Sequence, residues 1–144
     1  MQRQVMNVNS NTSFDALAIS VVHSVGLSGS DLAIAILEQS PDCIKMLDLD
    51  GHLDFINCNG LDAMEIDRPE SVIGKLWWEL WPKPVQGYVK QKFCEALKGR
   101  ETSFEAECPT AKGTRRKWVV NLRPLVAAAG PVVCILSTSR DVTV

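Results

Sequence analysis

The sequence predicts an α+β domain: a five-stranded antiparallel sheet with helices on one face and further helices ahead of it. Three features predict it. Asp50-Gly51 separates two strand-like runs, as a tight hairpin turn would. Val85, Tyr88, Val89, Phe93, Ala96 and Leu97 then form a long stripe of helical period. Three more strand-like runs close the chain, so the helices are gathered between the second strand and the third.

Taken in order, residues 1–12 are polar, rich in Asn and Gln, and aperiodic, which predicts a disordered tail. Phe14, Leu17, Ala18, Val21, Val22 and Val25 share one helical stripe, with Thr12 and Asp15 spaced as a capping box and Gly26 as a stop. Ser28 and Asp31 repeat the capping spacing ahead of a second helix, apolar on more than one face, that Pro41 ends. Residues 13–39 are thus read as a helical extension and 40–144 as the domain proper.

Within the domain, Cys43–Leu49 and His52–Asn57 read as the hairpin strands. Gly60–Ile66 and Ser71–Leu80 read as short helical pieces broken by Pro69, Gly74 and Pro82. Gly99 stands where the long helix needs a C-cap glycine. Thr102–Cys108, Thr114–Val126 and Pro131–Ser139 are the closing strands, separated by Lys112-Gly113 and Ala129-Gly130-Pro131.

A chain of 144 residues, 46% of them hydrophobic, holds one domain with a real core. A net charge of −2 gives no long-range field to recommend nucleic acid or anionic lipid as a partner. No apolar run approaches the roughly 20 residues that span a bilayer, and Met1–Ser13 has no signal-peptide core, so a cytoplasmic location is expected. Cys43, Cys58, Cys94, Cys108 and Cys134 are scattered without a CxxC pair, and are read as reduced, mostly small core residues. The acidic residues Asp42, Asp48, Asp50, Asp54, Asp62, Glu65 and Asp67 have no ligand spacing, so turn chemistry is expected of them and no metal. Arg115-Arg116-Lys117 beside Trp118 is read as a solvated strand end and not as a nucleic-acid platform. His23 and His52 are read as partly exposed, without catalytic partners.

Particular residues resemble the PAS family, in the bacterial sensory-box group found in sensor histidine kinases and related signalling proteins. They are Gln39-Ser40-Pro41-Asp42, Leu49-Asp50-Gly51 and Phe55-Ile56-Asn57, then Ile73-Gly74-Lys75 with Trp77-Trp78-Glu79-Leu80-Trp81-Pro82. Thr110-Ala111-Lys112-Gly113-Thr114 leading to Trp118, and Ser139-Arg140-Asp141-Val142-Thr143, complete the pattern. Asp141-Val142-Thr143 stands where many members end in Asp-Ile-Thr. The resemblance implies the PAS fold and a regulatory domain that senses a signal, dimerises, and biases an effector domain or partner in a two-component or transcription-regulating protein. It implies no catalysis, and no Ser-His, Cys-His or paired-carboxylate signature supports a small enzyme.

Members often enclose a small-molecule pocket between sheet and helices. Strand alternation and the helix stripe put Met46, Phe55, Met64, Tyr88, Phe93, Phe104, Val120 and Ile135 toward that space. Trp77 joins them, since Trp77 and Trp81 are spaced to share a helix face and serve equally as core or as ligand contacts. Asp141 and Thr143 are expected to fix the signal-bearing exit of the last strand, and Phe14, Leu17, Val21, Val22 and Val25 to form a homodimer contact. The ligand is unknown, and a pure interaction module without one stays open. Proximal-histidine haem is disfavoured because Val85–Leu97 has no histidine. Photoactive flavin is disfavoured because Asn57-Cys58-Asn59-Gly60-Leu61 shares only two letters with the light-sensing Asn-Cys-Arg-Phe-Leu motif and lies elsewhere in the fold.

Overall fold

The computed structural model describes residue 26, residues 28–128 and residues 130–144. The tail and first-helix assignments, including Phe14, Leu17, Val21, Val22, Val25 and His23, lie outside the described residues. The chain divides after Gln39, and Ser40–Val144 is a compact unit of its own.

Helix α1, Gly29–Gln39, opens with the capping pair the sequence suggested. The Asp31 amide donates to Ser28 Oγ at 3.0 Å and the Ser28 amide to Asp31 Oδ2 at 3.2 Å. None of its residues is buried, and Ile34 and Ile36 are 60% and 59% exposed.

The second unit begins with β1 (Cys43–Leu47) and β2 (Leu53–Ile56), followed by α2 (Cys58–Ala63). Gly51, at φ +95°, makes the hairpin turn against the Trp78 ring, where a Cβ would lie 2.2 Å from ring carbon. The stretch expected as helical pieces broken at Pro69, Gly74 and Pro82 is broken as expected, its pieces being two 3-10 turns, Pro69–Ser71 and Trp77–Leu80. Between them the backbone runs beside β2: Gly74 donates to the Leu53 carbonyl, Leu53 to that of Lys75 and Trp77 to that of Gly51, at 2.8–2.9 Å. Gly74, at φ +87°, turns the chain into this pairing, which spends the amides a continuous helix would need. Helix α3 (Lys83–Leu97) buries Val89, Phe93 and Ala96, and β3 (Thr102–Glu107), β4 (Lys117–Val126) and β5 (Val132–Asp141) complete the fold.

The antiparallel sheet has the order β2-β1-β5-β4-β3. Its inner face carries Leu47, Phe104, Trp118, Val120, Leu122 and Ile135, which form one core with Trp77, Trp81 and the buried face of α3. Trp77 and Trp81 meet edge to face, ring centres 6.0 Å apart. Only Cys43 and Cys108 of the five cysteines are core residues, which corrects the sequence reading. Cys58 and Cys94 stand on outward positions of α2 and α3, and Cys134 is half-buried. Among the described residues no helix is long and apolar enough to cross a membrane.

One side chain joins hairpin to helices. Asn57 is fully buried, and its Oδ1 accepts from the Ile44 and Gly60 amides, both at 2.9 Å, while Nδ2 donates to the Asp42 carbonyl at 3.1 Å. It caps α2 and ties the start of β1 to the end of β2. Asn57→Ala strands two buried N–H groups and a carbonyl, and is expected to lower stability by about 3 kcal/mol in urea unfolding with an unchanged m-value.

Candidate functional site

Between the inner face of the sheet and the segment joining α2 to α3 lies a cavity of about 410 Å³. Leu53, Met64, Ile66, Val72, Leu80 and Pro82 make it apolar, and Trp77, Trp81 and Trp118 give it flat aromatic walls. The indole N–H of Trp118 is spent on the Cys108 carbonyl at 3.0 Å, so that ring is held by its edge.

The polar part of the wall is small. Lys45 enters it from the middle of β1, only 7% exposed, and its Nζ donates to Cys43 Sγ at 2.9 Å. Ser139 contributes a hydroxyl from β5. Ser137 is paired with Lys45 across the ladder, and its buried hydroxyl has no hydrogen-bond partner among the described residues. Cys108 also lines the cavity, and burial pushes its thiol pKa up, although Lys45 pulls the other way. Among the described residues no imidazole or carboxylate is in the wall to activate that thiol.

The cavity is closed on one side by the β3–β4 connection, whose residues Cys108–Ala111 line it. Glu65 holds this connection. Its Oε1 accepts from Thr114 Oγ1 at 2.6 Å and from Thr110 Oγ1, while the Ala111 amide donates to the Met64 carbonyl at 2.9 Å. Glu65 has φ +56°, a left-handed conformation that costs a non-glycine residue about 1 kcal/mol and turns the chain toward these partners. Hydrogen bonds from Thr110 and Thr114, with Arg116 and Lys112 nearby, hold its carboxyl below the ordinary glutamate value of 4.5.

The structure distributes the residues picked from sequence over four environments. Met64 and Trp77 line the cavity. Phe93, Phe104, Val120 and Ile135 are buried in the core but outside the cavity wall. Tyr88 is 44% exposed, with its ring edge-on to Phe104 at 5.6 Å and Lys92 Nζ 5.5 Å from its centre. Met46 and Phe55 stand opposite each other across β1 and β2, on the outer face of the sheet, which corrects their assignment. Cys43, Lys45 and Leu47 are the inward residues of β1. A bulge opposite Met46/Leu47 turns Leu53 inward and Phe55 outward.

Lys45 was missed because a lysine in an alternating strand reads as solvent-facing. The available signal was its position two residues from both Cys43 and Leu47.

Asp141 and Thr143 lie outside the cavity wall. Asp141 Oδ1 accepts from the Thr143 amide and hydroxyl, and Thr143 Oγ1 accepts from the Lys117 amide at 2.9 Å. The Thr143 hydrogen bonds, helped by Arg116 at 3.2 Å, hold the Asp141 carboxyl below its ordinary value. The basic run is paired across the sheet edge, Arg115 with Glu107, Arg116 with Asp141 and Lys117 with Glu105. On the hairpin, Asp48, Asp50 and His52 cluster within 4.8 Å, and the Asp48 carboxylate accepts from the Asp50 and His52 amides, as turn chemistry requires.

The latch has a definite pH dependence. Because the folded-state pKa of Glu65 is lowered, its contribution is present above the ordinary glutamate value and is lost as pH falls through the lowered one. Glu65→Gln is expected to speed hydrogen exchange of the Ala111 amide at pH 7, and to shrink the loss of melting temperature between pH 7 and pH 3. Unchanged exchange in the variant would show that the carboxylate does not hold the connection.

The comparisons with known proteins agree with this architecture. The family model described as PAS fold matches residues 37–144. No curated protein sequence matches the chain. The crystal structure of the PAS domain of a protein from Colwellia psychrerythraea superposes with a TM-score of 0.71 at 17% identity, over 81% of this chain and 98% of that one. The PAS domain of an HTR-like protein from Haloarcula marismortui gives 0.66 at 24% identity, over 78% and 91%. VqmA of Vibrio cholerae, in a ligand–DNA complex, gives 0.65 at 18% identity, over 77% of this chain and 50% of that one. With the family model covering residues 37–144 and the sheet and helices arranged as described, the chain belongs to the PAS-fold family.

Proposed function

We propose that this PAS domain, a signalling sensor module, works by binding a small molecule in the cavity beside Trp77, Trp81 and Trp118, without turning it over. The cavity itself carries the reading: about 410 Å³ of largely apolar space is the size and character of small-ligand sites and is costly to leave unfilled. Among the described residues its wall offers no imidazole or carboxylate, which favours binding over catalysis.

Neither haem held by a helix histidine nor a photoactive flavin enters the reading. The α3 sequence has no histidine, and Cys58 is exposed at the start of α2, away from the cavity wall. Occupancy would act on the Glu65-held connection, which forms a cavity wall on one side and leads into β4 on the other. The exit at Asp141 and Thr143, tied to the start of β4, would pass the bias to an effector domain or partner protein in a bacterial signalling or transcription-regulating system. The VqmA complex with ligand and DNA is an instance of a similar fold in such a setting.

Native mass spectrometry of the protein as purified is expected to show a retained small molecule, lost on unfolding. A clean apo mass, with no thermal shift from a metabolite panel, would remove the sensor reading in favour of an interaction module.

We further propose a homodimer. Ile34 and Ile36 of α1 are exposed, and the apolar sequence stripe Phe14, Leu17, Val21, Val22 and Val25 precedes them. VqmA is also described as a dimer. In sedimentation, the full chain is expected to dimerise and a chain lacking residues 1–27 to be a folded monomer. Equal association of both would exclude the stripe as the contact.

A further inference from the structure

We propose that the cavity takes an anionic small molecule, a monocarboxylic acid with an aromatic or branched apolar body, and that Lys45 receives its carboxylate. This rests on the cavity being a ligand site, and adds the ligand's charge.

Lys45 is buried in the cavity wall, where an ammonium loses most of its hydration. Six ion pairs occur among the described residues, and Lys45 is in none of them. Its one hydrogen-bond acceptor is Cys43 Sγ, and a thiol sulfur is a weak acceptor. The ammonium therefore has donor capacity left over, and the cavity is the space it faces.

A second observation places the same need at the same point. Ser137, the ladder partner of Lys45, lies behind the wall with a buried hydroxyl that has no partner among the described residues, and Ser139, two residues along β5, is in the wall itself. Lys45 and Ser139 stand in the wall on the adjacent strands β1 and β5, Thr110 and Cys108 lie on the β3–β4 side, and Leu53, Met64, Leu80 and the three tryptophans supply much of the apolar remainder. A wholly apolar ligand would leave the charge uncompensated, and a cationic one would be repelled. A carboxylate accepts a charge-assisted hydrogen bond from Nζ and offers a lone pair to a serine, while its body meets the indoles.

Isothermal titration of the full chain with indole-3-acetate, phenylacetate and 4-methylpentanoate, each beside its primary amide, tests this directly. Acid and amide share a body and differ in charge. At least one acid is expected to bind ~10-fold or more tighter than its amide, the scale of a charge-assisted hydrogen bond. Lys45→Met keeps the length of the side chain and removes the charge. It is expected to abolish that preference, and to raise the melting temperature of the empty protein by a few degrees, because an unpaired buried charge is gone.

Equal binding of acid and amide by the wild type, or a preference that survives Lys45→Met, overturns the charge assignment and leaves the cavity as a ligand site. Binding of neither acids nor amides, with none of the thermal shifts sought above, overturns both. Should Lys45→Met fail to fold, Lys45→Gln with the same acid and amide pairs decides the question, and the wild-type comparison stands without either variant.

Discussion

The architecture depends on Asn57. It lies where the chain leaves the hairpin for the helices, and no water reaches it. Its amide bonds the start of β1, the segment before β1 and the first turn of α2 at once. Close packing at the same point leaves no room for alternatives: a Cβ on Gly60 would lie within 3 Å of Asn57, Ile56 and Cys43. The direction of α2 is therefore set by one buried polar group and one missing methyl. Because α2 leads into Met64 and Glu65, that direction also decides where the cavity wall and its latch stand. A polar residue in this position specifies geometry more than it adds net stability, since its hydrogen bonds replace others made to water in the unfolded chain.

The inner face of the sheet has two characters. Beneath α3, Val89, Phe93 and Ala96 pack against Phe104, Val120 and Ile135, leaving solid core. Beside the tryptophans the same face is not filled, and its inward residues in β1 and β5 include Lys45, Ser137 and Ser139. Regular helix covers the solid part, whereas the open part is covered by 3-10 turns and the β3–β4 connection. Such segments have fewer repetitive hydrogen bonds to lose and open at lower free energy than a core helix. The fold thus places rigidity and adaptability side by side on one sheet.

Much of this was legible in the chain. Asp50-Gly51, the Val89–Phe93–Ala96 stripe and the paired Ser28 and Asp31 each encode a local structure through local chemistry, and each is where the sequence put it. What failed was the assignment of strand faces. In Cys43–Leu47 the apolar Ile44 and Met46 alternate with Lys45, so the polar-out rule chose the wrong side. In β2 a bulge breaks the alternation between Leu53 and Phe55, and no composition signal marks it. Tyr88 shares the helical stripe of α3 yet lies past its buried edge, since a stripe defines a direction and not the width that a neighbour covers. The Glu65 latch was also invisible, because its partners are 45 and 49 residues away.

The crowding of indoles has an optical consequence. All four tryptophans of the chain lie within residues 77–118, three in the cavity wall and the fourth, Trp78, against Phe93 at 5.4 Å. Near-ultraviolet absorption and emission of this protein therefore originate almost wholly from the neighbourhood of one cavity. Trp77 and Trp81, edge to face at 6.0 Å, are close enough for their excited states to couple, so a small rotation of either ring alters circular dichroism near 290 nm. The domain carries its own chromophoric gauge of how that space is occupied, without a label.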